Sequence, residues 1–385
     1  MVAALSRRED PCARAARFGP AAAPVLVVKV GSALLVAADG VVRRDWAASL
    51  AADIAARREQ GQKIVLVSSG AIALGSMRLN LARGGRANLE DAQAAAACGQ
   101  ILLAGLWADL LGAHGIEAAQ MLVTLGDFED RRRYLNAAAT LTRLLGLGAL
   151  PILNENDSVA TEEIRFGDND RLAARAAQAA GAGGLLLLSD VEGLYTGNPA
   201  TDPSARLVED VHELGAVAGM AEASSGSGLG SGGMAAKVEA ARMALAAGVA
   251  VAIASGREPH PLARFGETGR GTIFHARGGL QARKAWLAGR MQVAGRLHVD
   301  AGAVAALRAG RSLLPAGVTR VDGDFARGDA VDVLGPDGMA VARGLVSYDA
   351  ADARQAAGKQ SDAIAAVLGY APRAAMIHRD QMVML

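Results

Sequence analysis

Aromatic side chains make up 3 % of this 385-residue chain, cysteine occurs twice, and lysine supplies only five of 40 basic residues. Glycosidase clefts are rich in aromatics, so a carbohydrate site is a poor match. Cys12 and Cys98 lie far apart and build no disulfide framework, so a reducing cytoplasm fits. Cys98, inside the alanine-rich run EDAQAAAACGQILLAGLW, reads as a small buried thiol. Charge of one sign is also missing: 40 basic against 39 acidic residues leave +1, and nothing global points to nucleic acid or an acidic membrane surface. No apolar run approaches the ~20 residues of a membrane span. The opening MVAALSRREDPCARAARFGPAAAP lacks the uninterrupted apolar core of a secretory signal. Residues 1–23 are expected to be a disordered extension, and a downstream start codon fits equally well.

What is present is a sizeable apolar content, 51 %, enough to bury a large core. From residue 24 to about 275, short β-branched runs alternate with alanine-rich helical segments. PVLVVKVGS reads as a buried strand ending in a turn, RRDWAASLAADIAARREQG as an amphipathic helix, and KIVLVSSGAIALG as a second strand entering a glycine turn. The alternation predicts a mainly parallel sheet with helices on both faces, with ligands at the carboxyl ends of the strands. After about residue 285 short strands are broken by Gly, Asp and Pro, with one short helix, which predicts a small mostly-β barrel-like module. The expected domains are 24–277 and 292–372, with a linker over 278–291 and a tail over 373–385.

The scarcity of lysine is informative. Where only positive charge is needed this chain uses arginine, yet Lys29 and Lys237 fall within or beside glycine-rich turns, KVGS and GSGLGSGGMAAK. A compact ammonium reaching phosphate oxygens is a task that arginine performs poorly. Together with SSGAIALG (68–75), three such turns expose backbone N–H groups suited to a polyphosphate. None matches G-x-x-x-x-G-K-[ST]. Gly228, Gly230 and Gly233 satisfy G-x-G-x-x-G formally, but no β run precedes them, which disfavours a dinucleotide fold.

Residues 154–170, NENDSVATEEIRFGDND, concentrate six carboxylates and three asparagines against one arginine. No His or Cys stands near enough for a zinc site, and the oxygen order of an EF-hand loop is absent. The stretch begins at a strand end and closes on a helix start, with Asp168 or Asn169 as a candidate N-cap. Carboxylates beside amides suit a ligand carrying both an ammonium and a carboxylate. A solvated charged loop is the alternative.

In order, KVGS, VSSGAIALG, QMLVT, LNENDSVATEEIRFGDND, LLLLSDVEGLYTGNP and SGLGSGGMAAK resemble the glutamate 5-kinases of the amino acid kinase family over roughly residues 24–275. The C-terminal module resembles a PUA domain. The resemblance implies ATP-dependent phosphorylation of the glutamate side-chain carboxylate, the first step of proline biosynthesis. It implies Lys29 and Lys237 on the phosphates, with Asp170 ordering both lysines. Ser69, Asp157 and Asn169 would hold glutamate. Ser189, Asp190 and the run Ser231, Gly232, Gly233, Met234, Ala235, Ala236, Lys237 would line ATP. Serine replaces the family's usual threonine at Ser32, Ser68, Ser189 and Ser231, which keeps the hydroxyl. A carboxylate with a pKa of ~4.3 is already a nucleophile at neutral pH, so no general base is required. No protein cage for a metal is visible, and Mg²⁺ is expected to arrive with ATP. The family also implies a homo-oligomer (dimer or tetramer), inhibition by proline, and a glutamyl phosphate reductase as partner. PUA modules elsewhere bind RNA, but residues 291–385 hold ten basic and ten acidic residues, so nucleic acid is not expected here.

Overall fold

The structure is a computed structural model that describes residues 10–37, 40–159, 168–223, 233–276, 293–368 and 375–385. The chain divides into two units, Met1–Glu129 with Asn136–Arg277, and Asp130–Leu135 with Gly278–Leu385.

Among its described residues the first unit carries eight strands: β1 (Val25–Val30), β2 (Lys63–Ser68), β3 (Ala118–Val123), β4 (Leu150–Glu155), β5 (Gly184–Ser189), β6 (Asp210–Val211), β7 (Ala250–Ser255) and β8 (Thr272–Phe274). Their order is β3-β4-β2-β1-β5-β7-β8-β6. Every pairing is parallel except β7 with β8. The expected mainly parallel sheet is thus present. Its central strands are apolar on both faces because both are covered: all six residues of GLLLLS in β5 are buried. The register sets Val30 of β1 beside Ser68 of β2 and Leu188 of β5. Lys29, Ser69 and Ser189 are thereby gathered at one end of the sheet.

Two helices are locked beside that end by a backbone-to-backbone approach. A Cβ on Gly75 in the Ala71–Arg78 helix would lie 1.7 Å from the Ala95 carbonyl oxygen, and one on Gly99 in the Leu89–Gly112 helix 1.8 Å from that of Ala71. Only glycine fits at either position. Gly70, with φ 123°, makes the sharp exit from β2 into the first of these helices.

Leu89–Gly112 corrects one expectation. At 24 residues it is long and apolar enough to cross a membrane by length and composition, because residues 92–108 carry no charge. Here Ala95, Gly99, Leu103, Leu106, Trp107 and Leu110 recur at helical spacing and are buried, giving it one core-facing stripe.

The N-terminal stretch also differs from expectation. Pro11–Ala16 is a helix whose first turn is capped by Asp10. Arg14 is buried and pairs with Asp210 at 3.3 Å while donating to the carbonyls of Glu209 (2.6 Å) and Gly271 (3.1 Å). Phe18 is fully buried, edge-on to Phe265 at 5.5 Å between ring centroids. Gln62 ties down the carbonyls of Phe18 and Ala23 at 2.8 Å each. The composition of this segment is that of a tail; its contacts come from residues 39 to 257 positions away in sequence, which no local reading reveals. Residues 1–9 lie outside the described ones, as does the expected linker.

The second unit carries β9 (Val293–Val299), β10 (Val318–Gly323), β11 (Ala330–Leu334), β12 (Ala340–Leu345) and β13 (Met382–Met384) in the order β10-β9-β11-β12-β13. Only β9 and β11 run parallel. Its core packs Leu297, Val299, Val333, Tyr348 and Met376. Among the described residues three helices accompany the sheet, Ala301–Arg308, Ala350–Ala356 and Ser361–Leu368, rather than the single one expected. Within the stretch read as a tail, Met382, Val383 and Met384 pair with Gly344, Arg343 and Ala342.

Candidate active site

Two lysines and one aspartate are buried together at the carboxyl end of the parallel strands. Lys29 comes from β1, Asp170 from the first turn of the Asp168–Ala180 helix, and Lys237 from the Met234–Ala246 helix packed against it. Lys29 Nζ lies 2.7 Å from one oxygen of Asp170, and Lys237 Nζ lies 3.1 Å from the other. Asp170 is 0 % exposed and each lysine 5 %. Burial alone would raise the pKa of Asp170, but the charges and hydrogen bonds of the two lysines outweigh it and hold the carboxyl below its ordinary value. Burial, with the Lys237 charge adding to it, draws Lys29 below its ordinary value, against the pull of Asp170. Two cations share one anion, so the triad carries a net positive charge in a nearly dry setting. Such an arrangement is suited to an incoming polyanion.

Beside it, Asn169 donates from Nδ2 to Ser69 Oγ (2.9 Å) and to Asn154 Oδ1 (3.1 Å), and Asn154 donates to Gln100 Oε1 at 2.7 Å. The Ser68 hydroxyl accepts from Trp107 Nε1 at 2.9 Å and donates to the Ser69 carbonyl, which braces the turn carrying Ser69. Asp157 is buried at the start of a 3₁₀ turn just past β4. It shares with Gln100, Gln120 and Glu155 the wall of a cavity of about 260 Å³. Burial lowers the Arg86 guanidinium from its ordinary value and the Asp157 carboxylate opposes that, so these two groups feel one another.

Ser189 is buried at the end of β5, its hydroxyl donating to Asp190 Oδ1 at 3.2 Å. Gly233 precedes the Met234–Ala246 helix without any side-chain cap. Met234 is buried, Ala235 exposed and Ala236 half-buried along its first turn. The uncapped amides there are a further anion-binding feature. Ser231 and Gly232 lie outside the described residues, as do Glu162, Glu163 and Arg165. Asp168 and Asn169 stand inside the first turn of their helix rather than at its cap.

The amino acid kinase family model matches residues 24–255, and the PUA domain model matches residues 295–368. The chain belongs to the amino acid kinase family. This amino acid kinase is 62 % identical over 369 residues to the glutamate 5-kinase of Sphingopyxis alaskensis, covering 96 % of this chain and 99 % of that one. It is 56 % identical over 369 residues to the glutamate 5-kinase of Zymomonas mobilis, covering 96 % and 93 %. With the glutamate 5-kinase of Novosphingobium aromaticivorans it shares 59 % over 362 residues, covering 94 % and 96 %.

The fold of this kinase brings Lys29, Asp170 and Lys237 into one contact, and links Asn169 with Ser69. Sequence reasoning passed over Gln100, Trp107, Asn154 and Arg86. Asn154 was legible in principle, since it is a buried amide within a β-strand and opens the acidic stretch. Gln100 and Trp107 sit in an apolar helix and give no such signal.

Proposed function

We propose that this kinase transfers the γ-phosphoryl group of ATP to the side-chain carboxylate of L-glutamate, giving L-glutamyl 5-phosphate and ADP. The observation that carries the reading is the buried Lys29–Asp170–Lys237 triad next to an amide- and carboxylate-lined pocket.

Lys29 and Lys237 face the phosphates, and Asp170 holds both ammonium groups in place between turnovers. As a glutamate carboxylate oxygen bonds to the γ-phosphorus, the bond from that phosphorus to the bridging oxygen breaks and ADP leaves with the electron pair. Negative charge spreads over the transferring group, where two fixed cations and the amides opening the Met234–Ala246 helix stabilise it. No proton has to be removed from the nucleophile, which fits a site without histidine. Ser69, Asp157 and Asn169 bind glutamate, with the carboxylate of Asp157 matched to its ammonium group. Ser189 and Asp190, with the run Ser231 to Lys237, line the nucleotide. No group of three or more His, Cys, Asp or Glu suited to a metal occurs among the described residues. Mg²⁺ would arrive with ATP and would supply charge neutralisation at its phosphates, beside Lys29 and Lys237.

The acyl phosphate product is labile and requires prompt reduction, which places a glutamyl phosphate reductase downstream on the way to proline. Feedback inhibition by proline, a homo-oligomeric state, a cytoplasmic location and no nucleic-acid or membrane partner belong to the same reading. The test is an ATP-dependent hydroxylamine-trapping assay with glutamate beside N-acetylglutamate and aspartate, with ADP release measured for these three and for UMP. Hydroxamate formation with glutamate alone is expected. Faster turnover of any of the other three would overturn the assignment.

A further inference from the structure

Gln100, Asn154, Asn169 and Ser69 come from four different elements and form one hydrogen-bonded line. Asn154 Nδ2 donates to Gln100 Oε1 at 2.7 Å, and Asn169 Nδ2 donates to Asn154 Oδ1 at 3.1 Å and to Ser69 Oγ at 2.9 Å. A primary amide has two N–H donors and one carbonyl acceptor. Both donors of Asn169 are therefore used within the protein. Its Oδ1 is buried and has no hydrogen-bond partner among the described residues. A buried acceptor left without a donor is costly unless a ligand supplies one.

Such a line can run in two senses. Were the Gln100 amide turned over, so that it offered its N–H in place of its oxygen, Asn154 would turn its carbonyl toward it and its N–H toward Asn169. The Asn169 amide would then turn over as well and show the pocket its NH₂ group. An ammonium ion only donates, so it is recognised in the first sense and rejected in the second.

We propose that Gln100 is a positioning residue which, through Asn154, holds the Asn169 amide with its carbonyl toward the substrate and so selects ligands that carry an ammonium group. It is well anchored for this: the preceding residue, Gly99, is pressed against the backbone of the Ala71–Arg78 helix, so the helix cannot shift or rotate freely beneath Gln100. Asp157 shares the wall of a cavity with Gln100 and adds the negative charge that a bound ammonium requires.

The proposal rests on the reading of Asn169 as a glutamate-binding residue, and the experiment separates the two. For the parent, Gln100→Leu, Gln100→Glu and Asn169→Ala, the KM and kcat for glutamate are measured. So is the competitive inhibition constant of glutarate, which keeps both carboxylates and lacks the ammonium. Gln100→Leu should raise the glutamate KM about tenfold, change kcat less than threefold, and leave the glutarate constant within twofold. Gln100→Glu, which keeps an acceptor at this position, should bring the KM back to within about threefold of the parent or below it. A Gln100→Leu variant whose glutamate KM does not move, or whose glutarate constant weakens in step, overturns the positioning role. An unchanged glutamate KM in Asn169→Ala overturns instead the assignment of Asn169 to the pocket.

Discussion

Asp170→Asn keeps the shape of the buried side chain and removes its charge, which makes it the sharpest perturbation of the triad. In the parent, two ammonium groups 2.7 and 3.1 Å away share that carboxylate, each lysine being 5 % exposed. The asparagine leaves two like charges buried without an anion. Removing one partner of a buried pair costs about 3–5 kcal/mol. For a unit of this size that is a fall of roughly 6–20 °C in melting temperature. Turnover should fall at least ~100-fold, as for loss of a comparable electrostatic contact, because the lysines repel and leave their positions. Two further measurements by differential scanning fluorimetry isolate the cause. A non-hydrolysable ATP analogue restores negative charge beside the lysines, so it should stabilise the variant more than the parent. The double variant Asp170→Asn with Lys237→Met has the same net charge as the parent triad; it should regain most of the lost stability and none of the activity. A variant of parental melting temperature and turnover would refute the reasoning, and so would a double variant less stable than Asp170→Asn alone.

Lys237→Ala should lower turnover at least ~100-fold with the fold retained, read by hydroxamate formation and circular dichroism. Asp157→Ala should raise the glutamate KM and leave that for ATP unchanged; a change confined to ATP would place Asp157 elsewhere. Gly99→Ala sets a methyl group 1.8 Å from the Ala71 carbonyl oxygen, so the two helices must separate, with a loss of about 1–3 kcal/mol visible in urea denaturation. Acid should act through Asp170 and through Asp210. At Asp210, too, burial raises the pKa but His275 and Arg14 outweigh it and hold the value below the ordinary 3.8. A carboxylate whose folded pKa is depressed contributes stability that is complete above the unfolded value. Denaturation midpoints should therefore hold steady above pH 5 and decline as the pH falls through 3.8 and below; Arg14→Ala, which removes one cation from Asp210, should flatten that decline.

Much of the fold was legible because burial on both faces leaves a period-free apolar run, and such runs between amphipathic helices leave few alternatives to a parallel sheet. The site was legible where chemistry is rare. Two lysines in glycine turns stand out in a chain that otherwise prefers arginine, and the crowding of Asn, Asp and Glu over 154–170 marks a strand end with a task. What stayed hidden depends on neighbours supplied by other parts of the chain. Arg14 reads as one more arginine in a basic tail until Asp210 and two backbone carbonyls surround it. The uncharged length of Leu89–Gly112 looks the same whether lipid or a protein core receives it.

From its residues alone this chain determines an alternating α/β unit, a second β-rich unit, and the motifs of an amino acid kinase. Local pattern is sufficient for these because hydrophobic period and turn chemistry act over a few residues. The tertiary structure decided the partnerships. Asp170 meets Lys237 from 67 positions away, and Asn169 meets Ser69 from 100, because the order β2-β1-β5 sets side by side strands that are distant in sequence. The line joining Gln100, Asn154 and Asn169 was likewise made only by tertiary contact, since these three amides come from a helix, a strand and a second helix.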